Sequence, residues 1–320
     1  EHQARYWLDA VRYGDTHGLH LDNKRAIYPY RDWVVRAFNR NQRLDEFLTW
    51  QLAGDLLSKP TLAQQVATGF VRMNPTTAEG GAIPAEFQAK NNFDRVETLG
   101  TALLGMSLTC ARCHTHKYDP IPQVEYYQMM AFFNSTAESS MDGNRYEYGP
   151  TVKAPPDVSA WAQLEGLEGA LAKAKDEAEK QALAKKLEEL KKRFTSTLVA
   201  RDLPKPRETK LLERGEYNLP KGDPLQPGVF AVMGKLPKDA PRNRLGLAQW
   251  LTARGHPLVT RVLVNRIWQR TFGEGLVRTP ADFGLQGEQP THPELLDWLA
   301  VDLQDRDWNL KAMLKLMVTS

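Results

Sequence analysis

The chain reads as a mainly α protein: a helical N-terminal domain, a long charged helix or helical hairpin, a short extended or β segment, and a helical C-terminal domain. Three observations predict this. Apolar residues recur at three- and four-residue spacing through both ends of the 320-residue chain. An Ala/Glu/Lys/Leu-rich stretch fills the middle. Only residues 198–241 exchange that period for Pro, Gly and short apolar runs.

The first helix is announced by Tyr6, Trp7 and Val11. Residues 30–38, 44–57, 62–70 and 93–110 repeat the pattern, with Asp or Thr near several starts as caps. Residues 14–29 and 73–84 lack a period and read as loops, the places where a helical scaffold builds sites. Together these form a domain over 1–138, closed by a Gly/Asn/Pro-rich break at 139–156. In 157–196, 8 acidic and 8 basic residues cancel, and Leu164, Leu167, Leu171, Ala174 and Ala178 keep one phase before it slips and resumes at Leu183, Leu187, Leu190 and Phe194. That predicts a long helix or hairpin acting as a packing arm within a linker region of 139–241. Runs such as Lys210-Leu-Leu-Glu and Gly228-Val-Phe-Ala-Val-Met fit brief strands or extended chain. From 242 to 320 helices return at 245–252, 257–272 and 291–303, with Thr291 as a cap before His292, and His256-Pro257 as a similar start. Trp250, Trp268 and Trp298 sit on helical faces and read as core, and Asp282-Phe283-Gly284 reads as a turn with a buried Phe.

Composition excludes several classes. Hydrophobic residues make up 42%, and 42 Lys+Arg against 39 Asp+Glu leave a charge of +3, too small and too dispersed to define a nucleic-acid partner. No run approaches the about 18 consecutive apolar residues of a membrane span; the most apolar window, 99–108, carries Thr101 and Ser107. Both ends, at Glu1 and Ser320, fall within helical patterns, which predicts a fragment whose signal segment and C-terminal remainder are missing.

The only two cysteines stand together in Thr109-Cys-Ala-Arg-Cys-His-Thr-His-Lys-Tyr-Asp-Pro. Cys-x-x-Cys-His is the pattern of covalent c-type haem attachment: Cys110 and Cys113 would join the haem vinyl groups, and His114 would ligate the iron. Three rival readings remain open. A thioredoxin-like pair has the same spacing but sits at a strand-to-helix junction, whereas the preceding residues here read as helical. A zinc site from Cys110, Cys113, His114 and His116 would strain a tetrahedral shell. A disulfide would close too short a loop to stabilise much.

At this motif the chain resembles a known family. Gly105-Met-Ser-Leu-Thr-Cys-Ala-Arg-Cys-His-Thr-His-Lys-Tyr-Asp-Pro-Ile, Tyr126-Tyr127, Asp15-Thr-His-Gly-Leu-His-Leu-Asp-Asn, Gln51-Leu-Ala-Gly-Asp-Leu-Leu and Asn74-Pro-Thr-Thr-Ala-Glu-Gly-Gly are similar to the cytochrome-like domain of planctomycete-type c cytochromes. Val264-Asn-Arg-Ile-Trp-Gln, Phe272-Gly-Glu-Gly-Leu-Val-Arg-Thr-Pro-Ala-Asp-Phe-Gly and Pro290-Thr-His-Pro-Glu-Leu-Leu-Asp-Trp-Leu-Ala resemble the partner domain that follows it. The resemblance implies domains of largely unknown function in exported proteins, often preceded by a small cytochrome c domain, from bacteria that degrade polysaccharides.

Other polar groups extend the list. Opposite His114 the iron would meet His17, His20, Met73 or Met106, or an open position. Arg112 and Lys117 flank the motif and could pair with haem propionates. Asp15, His17, His20 and Asp22 crowd one loop and Glu79 precedes Gly80-Gly81 in another, so acid/base or metal chemistry is an expectation there, against a reading as caps and turns.

The expected function is redox work outside the cytoplasm, in the periplasm or beyond: one haem c, with electron transfer to a redox partner protein or upstream cytochrome domain, or the haem domain of an oxidoreductase acting on a carbohydrate-related substrate. The alternatives are a zinc- or other metal-dependent hydrolase using the His17/His20 loop and His116, with Glu79 a separate catalytic candidate, and a non-catalytic binding module.

Overall fold

Polar side chains cap several helix starts in the computed structural model, which describes all of residues 1–320. The N-terminal region holds α1 (His2–Ala10), α2 (Tyr28–Asn39), α3 (Leu44–Ala53), α4 (Leu62–Ala67), α5 (Pro84–Leu99) and α6 (Gln123–Ala131). Thr61 and Gln64 cap α4 reciprocally: Thr61 Oγ1 accepts from the Gln64 amide, and Gln64 Oε1 accepts from the Thr61 amide at 2.8 Å. Trp7, Trp33 and Phe47 fill the space among α1, α2 and α3, with Trp33 and Phe47 stacked at 5.2 Å. Buried Gln51 pins that cluster, accepting from Trp7 Nε1 at 2.8 Å and the Tyr30 hydroxyl at 2.7 Å. Buried polar groups paired in this way avoid the desolvation penalty they would otherwise carry.

Strands β1 (Thr151–Ala154) and β2 (Thr195–Leu198) pair antiparallel, with Thr151 opposite Leu198, and close the base of a helical hairpin, α7 (Val158–Lys173) and α8 (Glu177–Lys191). The arm is a hairpin rather than one long helix, and its turn comes earlier than the phase slip after Ala178 suggests: Ala174 is extended, and Asp176 caps α8 by accepting from the Glu179 amide at 2.9 Å. Arg36 lies 4.1 Å over the Trp161 ring and pairs with Glu165, which also pairs with Arg40, so the arm packs against α2. A two-residue ladder, β3 (Leu211–Leu212) with β4 (Pro220–Lys221), interrupts the extended chain.

The C-terminal region contains α9 (Arg244–Leu251), α10 (Val259–Phe272), α11 (Pro293–Asp305) and α12 (Leu310–Thr319). One hydrophobic core runs through both ends of the chain, from Ala4 to Met317. The fold is mainly α, with only two-stranded sheets beside its helices. No helix is long and apolar enough to cross a membrane.

Local readings differ at four places. The helix expected at 93–110 is Pro84–Leu99, because a proline in the first turn starts it early and the chain unwinds through Gly100 to a left-handed Gly105. The apolar run at 228–233 forms a 3-10 turn, Ala231–Met233, ended by Gly234, and has no partner strand. At α11 the N-cap is His292 without a side-chain cap, while the Thr291 hydroxyl donates to the Leu276 carbonyl at 3.3 Å. Trp298, expected in the core, is 53% exposed.

Candidate cofactor-attachment site

Beyond Gly105 the chain forms a 3-10 turn, Thr109–Arg112, held down by Leu108 and Ala111, both buried in the core. The amides of Cys113 and His114 both donate to the Cys110 carbonyl, at 3.3 and 3.4 Å. That single closed turn carries two free, exposed thiols and an exposed imidazole. His114 Nδ1 lies 2.7 Å from the Thr115 carbonyl oxygen. A carbonyl only accepts, so Nδ1 carries the proton and Nε2 keeps the lone pair, the tautomer that a metal-binding histidine adopts when a backbone carbonyl orients it.

The support beneath the turn comes from α5 and α6. Buried Tyr127 donates its hydroxyl to the Arg112 carbonyl at 2.8 Å, and Gln123 Nε2 donates to the same oxygen at 3.0 Å. Burial, and then the nearby Cys113 thiol, raise the Tyr127 pKa, so its hydroxyl stays a donor. The Arg112 guanidinium is engaged with Glu97 (Nη2 to Oε1, 2.5 Å) and stacks over Phe93 at 4.6 Å. It is therefore a structural cation rather than the free propionate partner expected from the sequence. Lys117 is exposed, 5.2 Å from the centre of the Tyr118 ring. Gly215 passes the other side of the turn with φ +77°, and a Cβ there would fall 3.2 Å from Cys113 Sγ. The glycine lets the main chain pass close to that sulfur and to Arg112 without a clashing side chain.

His116 is buried and its Nδ1 accepts from the Asp119 amide at 2.9 Å, so it fixes the loop that follows the motif. His17 is buried as well. Its Nε2 donates to the Arg145 carbonyl at 2.9 Å and its Nδ1 accepts from the Thr76 hydroxyl at 3.0 Å, which leaves no ring nitrogen free. Burial lowers its pKa, and Asp142 Oδ2 stands 3.5 Å from Nδ1. His17 thus knits three loops together: Gly18 bridges to Thr76, and the Asp142 amide donates to the Thr77 carbonyl. His20 and Glu79 are exposed, and Asp22 Oδ1 accepts from the Gly18 amide at 2.8 Å. No three His, Cys, Asp or Glu side chains are grouped so as to hold a metal ion, so the constellation expected from His17, His20 and His116 is not assembled. Met73 and Met106 are core residues.

Three cavities of about 850, 550 and 530 Å³ lie between α7 and α8, beside 202–209, and under the 139–149 loop. None is lined by Cys110, Cys113 or His114. Sequence reasoning located the thiols and His114 by their spacing. It gave no role to Tyr127 or Asp119, although both lie in the stretches that carry the resemblance, and none to Gly215, because their roles arise from contacts with distant chain.

Residues 1–138 match the PSCyt2 family, described as a protein of unknown function (DUF1549). Residues 243–320 match the PSD1 family, described as a protein of unknown function (DUF1553). The two matches fall on the two stretches whose motifs resemble the planctomycete-type domain pair. No curated protein and no solved structure matches it.

Proposed function

We propose that Cys110 and Cys113 carry a covalently attached haem with His114 Nε2 as an iron ligand, and that the protein works in extracytoplasmic electron transfer or as the haem domain of an oxidoreductase. The single observation that carries this reading is the pairing of two exposed, unlinked thiols with an imidazole whose Nδ1 proton is held by the Thr115 carbonyl. The donor set fits the group: thiols three residues apart on one turn are spaced for the two vinyl positions, and the lone-pair nitrogen is next in sequence. When bound, the haem supplies one-electron chemistry at its iron.

The chain's own residues do the rest. Tyr127 and Gln123 hold the Arg112 carbonyl and so fix the turn on α6. Glu97 and Phe93 keep the Arg112 side chain packed beneath it. Gly215 packs beside Cys113 with no side chain of its own. Lys117 is the cation beside the motif without a carboxylate partner, and it would meet a propionate. This reading carries an extracytoplasmic location and a redox partner protein with it, and a carbohydrate-related substrate if the chain serves an oxidoreductase.

The test is an optical spectrum of protein made in a host with cytochrome c maturation. A Soret band that survives acid–acetone extraction, and is lost in a Cys110→Ala/Cys113→Ala variant, supports the proposal. Colourless wild-type protein overturns it.

A further inference from the structure

The loop that leaves the Cys110–His114 turn is closed on itself and then fastened to the other end of the chain. Within it, the Asp119 amide donates to His116 Nδ1 at 2.9 Å, the His116 amide donates to the Ile121 carbonyl at 3.0 Å, and the Ile121 amide donates to the Asp119 carbonyl at 2.8 Å. The Asp119 side chain, only 6% exposed, then reaches across 166 residues: its Oδ1 accepts from the Leu285 amide at 2.7 Å. Gly284 is pressed against the same carboxylate, and a Cβ there would stand 2.6 Å from both of its oxygens. Two further contacts hold the segment leading into the turn. The Phe283 amide donates to the Gly105 carbonyl at 2.6 Å, and Arg266 Nη2 donates to the Thr101 carbonyl at 2.8 Å. The segments on both sides of the thiol-bearing turn are therefore bonded to the C-terminal region.

We infer that the 279–288 loop belongs to the Cys110–His114 site, and that Asp119 is the positioning residue through which the C-terminal region holds the turn presenting the thiols and imidazole. A buried carboxylate carries a desolvation penalty, and His116 Nδ1, already an acceptor, offers it no proton. The Leu285 amide is its hydrogen-bond donor, so removing the carboxylate frees that contact specifically. The inference rests on the haem reading only for what the turn carries; the clamp itself concerns the apoprotein.

The experiment uses the full chain and three variants. Asp119→Leu removes the acceptor, Asp119→Asn keeps an oxygen for the Leu285 amide, and Gly284→Ala fills the gap and displaces the carboxylate. Amide hydrogen exchange is followed at 113–121 and at Leu285, and covalent haem per chain is measured by the acid–acetone-stable Soret band. Asp119→Leu and Gly284→Ala should exchange about tenfold or more faster at these amides and load severalfold less haem, with α2 and α3 unchanged, while Asp119→Asn stays near wild type. Wild-type exchange and loading in Asp119→Leu would overturn the inference. Should Asp119→Leu fail to fold, the same pair of readouts in Gly284→Ala decides it. Wild-type protein without haem would sink the attachment reading alone, because the exchange comparison still decides the clamp.

Discussion

Arg244 and Asp55 meet through two parallel hydrogen bonds, Nη1 to Oδ1 at 2.9 Å and Nη2 to Oδ2 at 2.6 Å, although 189 residues separate them. The Arg244 side chain is fully buried and also reaches Asp202 Oδ1 at 2.9 Å and the Leu52 carbonyl at 2.6 Å. One guanidinium thereby joins the start of α9, the end of α3 and the extended chain after β2. Fork-to-fork geometry is what makes such a pair specific.

Breaking that junction from one side should be severe. Asp55→Ala leaves a buried cation with Asp202 as its one carboxylate, and removal of one partner from a buried pair typically costs about 3–5 kcal/mol. Urea unfolding should show a lowered midpoint; an unchanged midpoint would mean that Asp202 and the Leu52 carbonyl suffice.

Acid should weaken the N-terminal region through Glu138. Burial opposes its charge, but Arg95, hydrogen-bonded to it, and Arg72 hold its pKa down to about 2, against the ordinary 4.5. A carboxylate depressed in the fold contributes stability that is complete above pH 4.5 and is lost as pH falls toward 2. The contribution is on the order of 3 kcal/mol. Glu138→Gln should flatten the stability curve across that window, as read by unfolding free energies at several pH values.

His256 adds an earlier loss. Its Nδ1 accepts from the Leu258 and Val259 amides at 3.2 and 3.3 Å, capping α10, and burial lowers its pKa to about 4 from 6.5. The folded chain excludes the proton that the unfolded chain takes up, so this stability is full above pH 6.5 and declines as pH falls toward 4. His256→Asn keeps a capping acceptor and should remove this part of the pH dependence. A curve still falling between pH 6 and 4 in that variant would assign the loss elsewhere, to His17 first, whose pKa burial also lowers.

Gly215→Ala tests the close passage of the chain beside the thiol. The new methyl would press on Cys113 Sγ and on Arg112, and φ +77° strains any residue with a Cβ by about 1 kcal/mol. Alkylation of Cys113 by iodoacetamide should slow several-fold relative to Cys110, as measured by peptide mass spectrometry. Equal slowing of both cysteines would instead indicate a change in the whole turn.

The helices were legible because burial imposes a period: Tyr30, Trp33, Val34 and Ala37 repeat at three and four and are all buried in α2. Capping was partly legible, as at Thr61, whose hydroxyl accepts from the Gln64 amide at 3.3 Å. The His17/His20 reading failed for a different reason. Two histidines in one loop look alike in sequence, yet one is buried with both nitrogens used and the other is exposed with φ +55°. Whether an imidazole is free depends on carbonyls and hydroxyls such as those of Arg145 and Thr76, which arrive from distant loops.

From its own order of residues the chain determined most of its helices and the thiol–thiol–imidazole spacing at Cys110, Cys113 and His114, because each depends on neighbours within a few turns. Only the tertiary structure decided that Arg112 is bound to Glu97, that Gly215 flanks Cys113, and that Asp119 is held by Leu285. Those outcomes depend on which distant backbone groups converge, and a hydrogen bond over 166 residues leaves no local pattern to read.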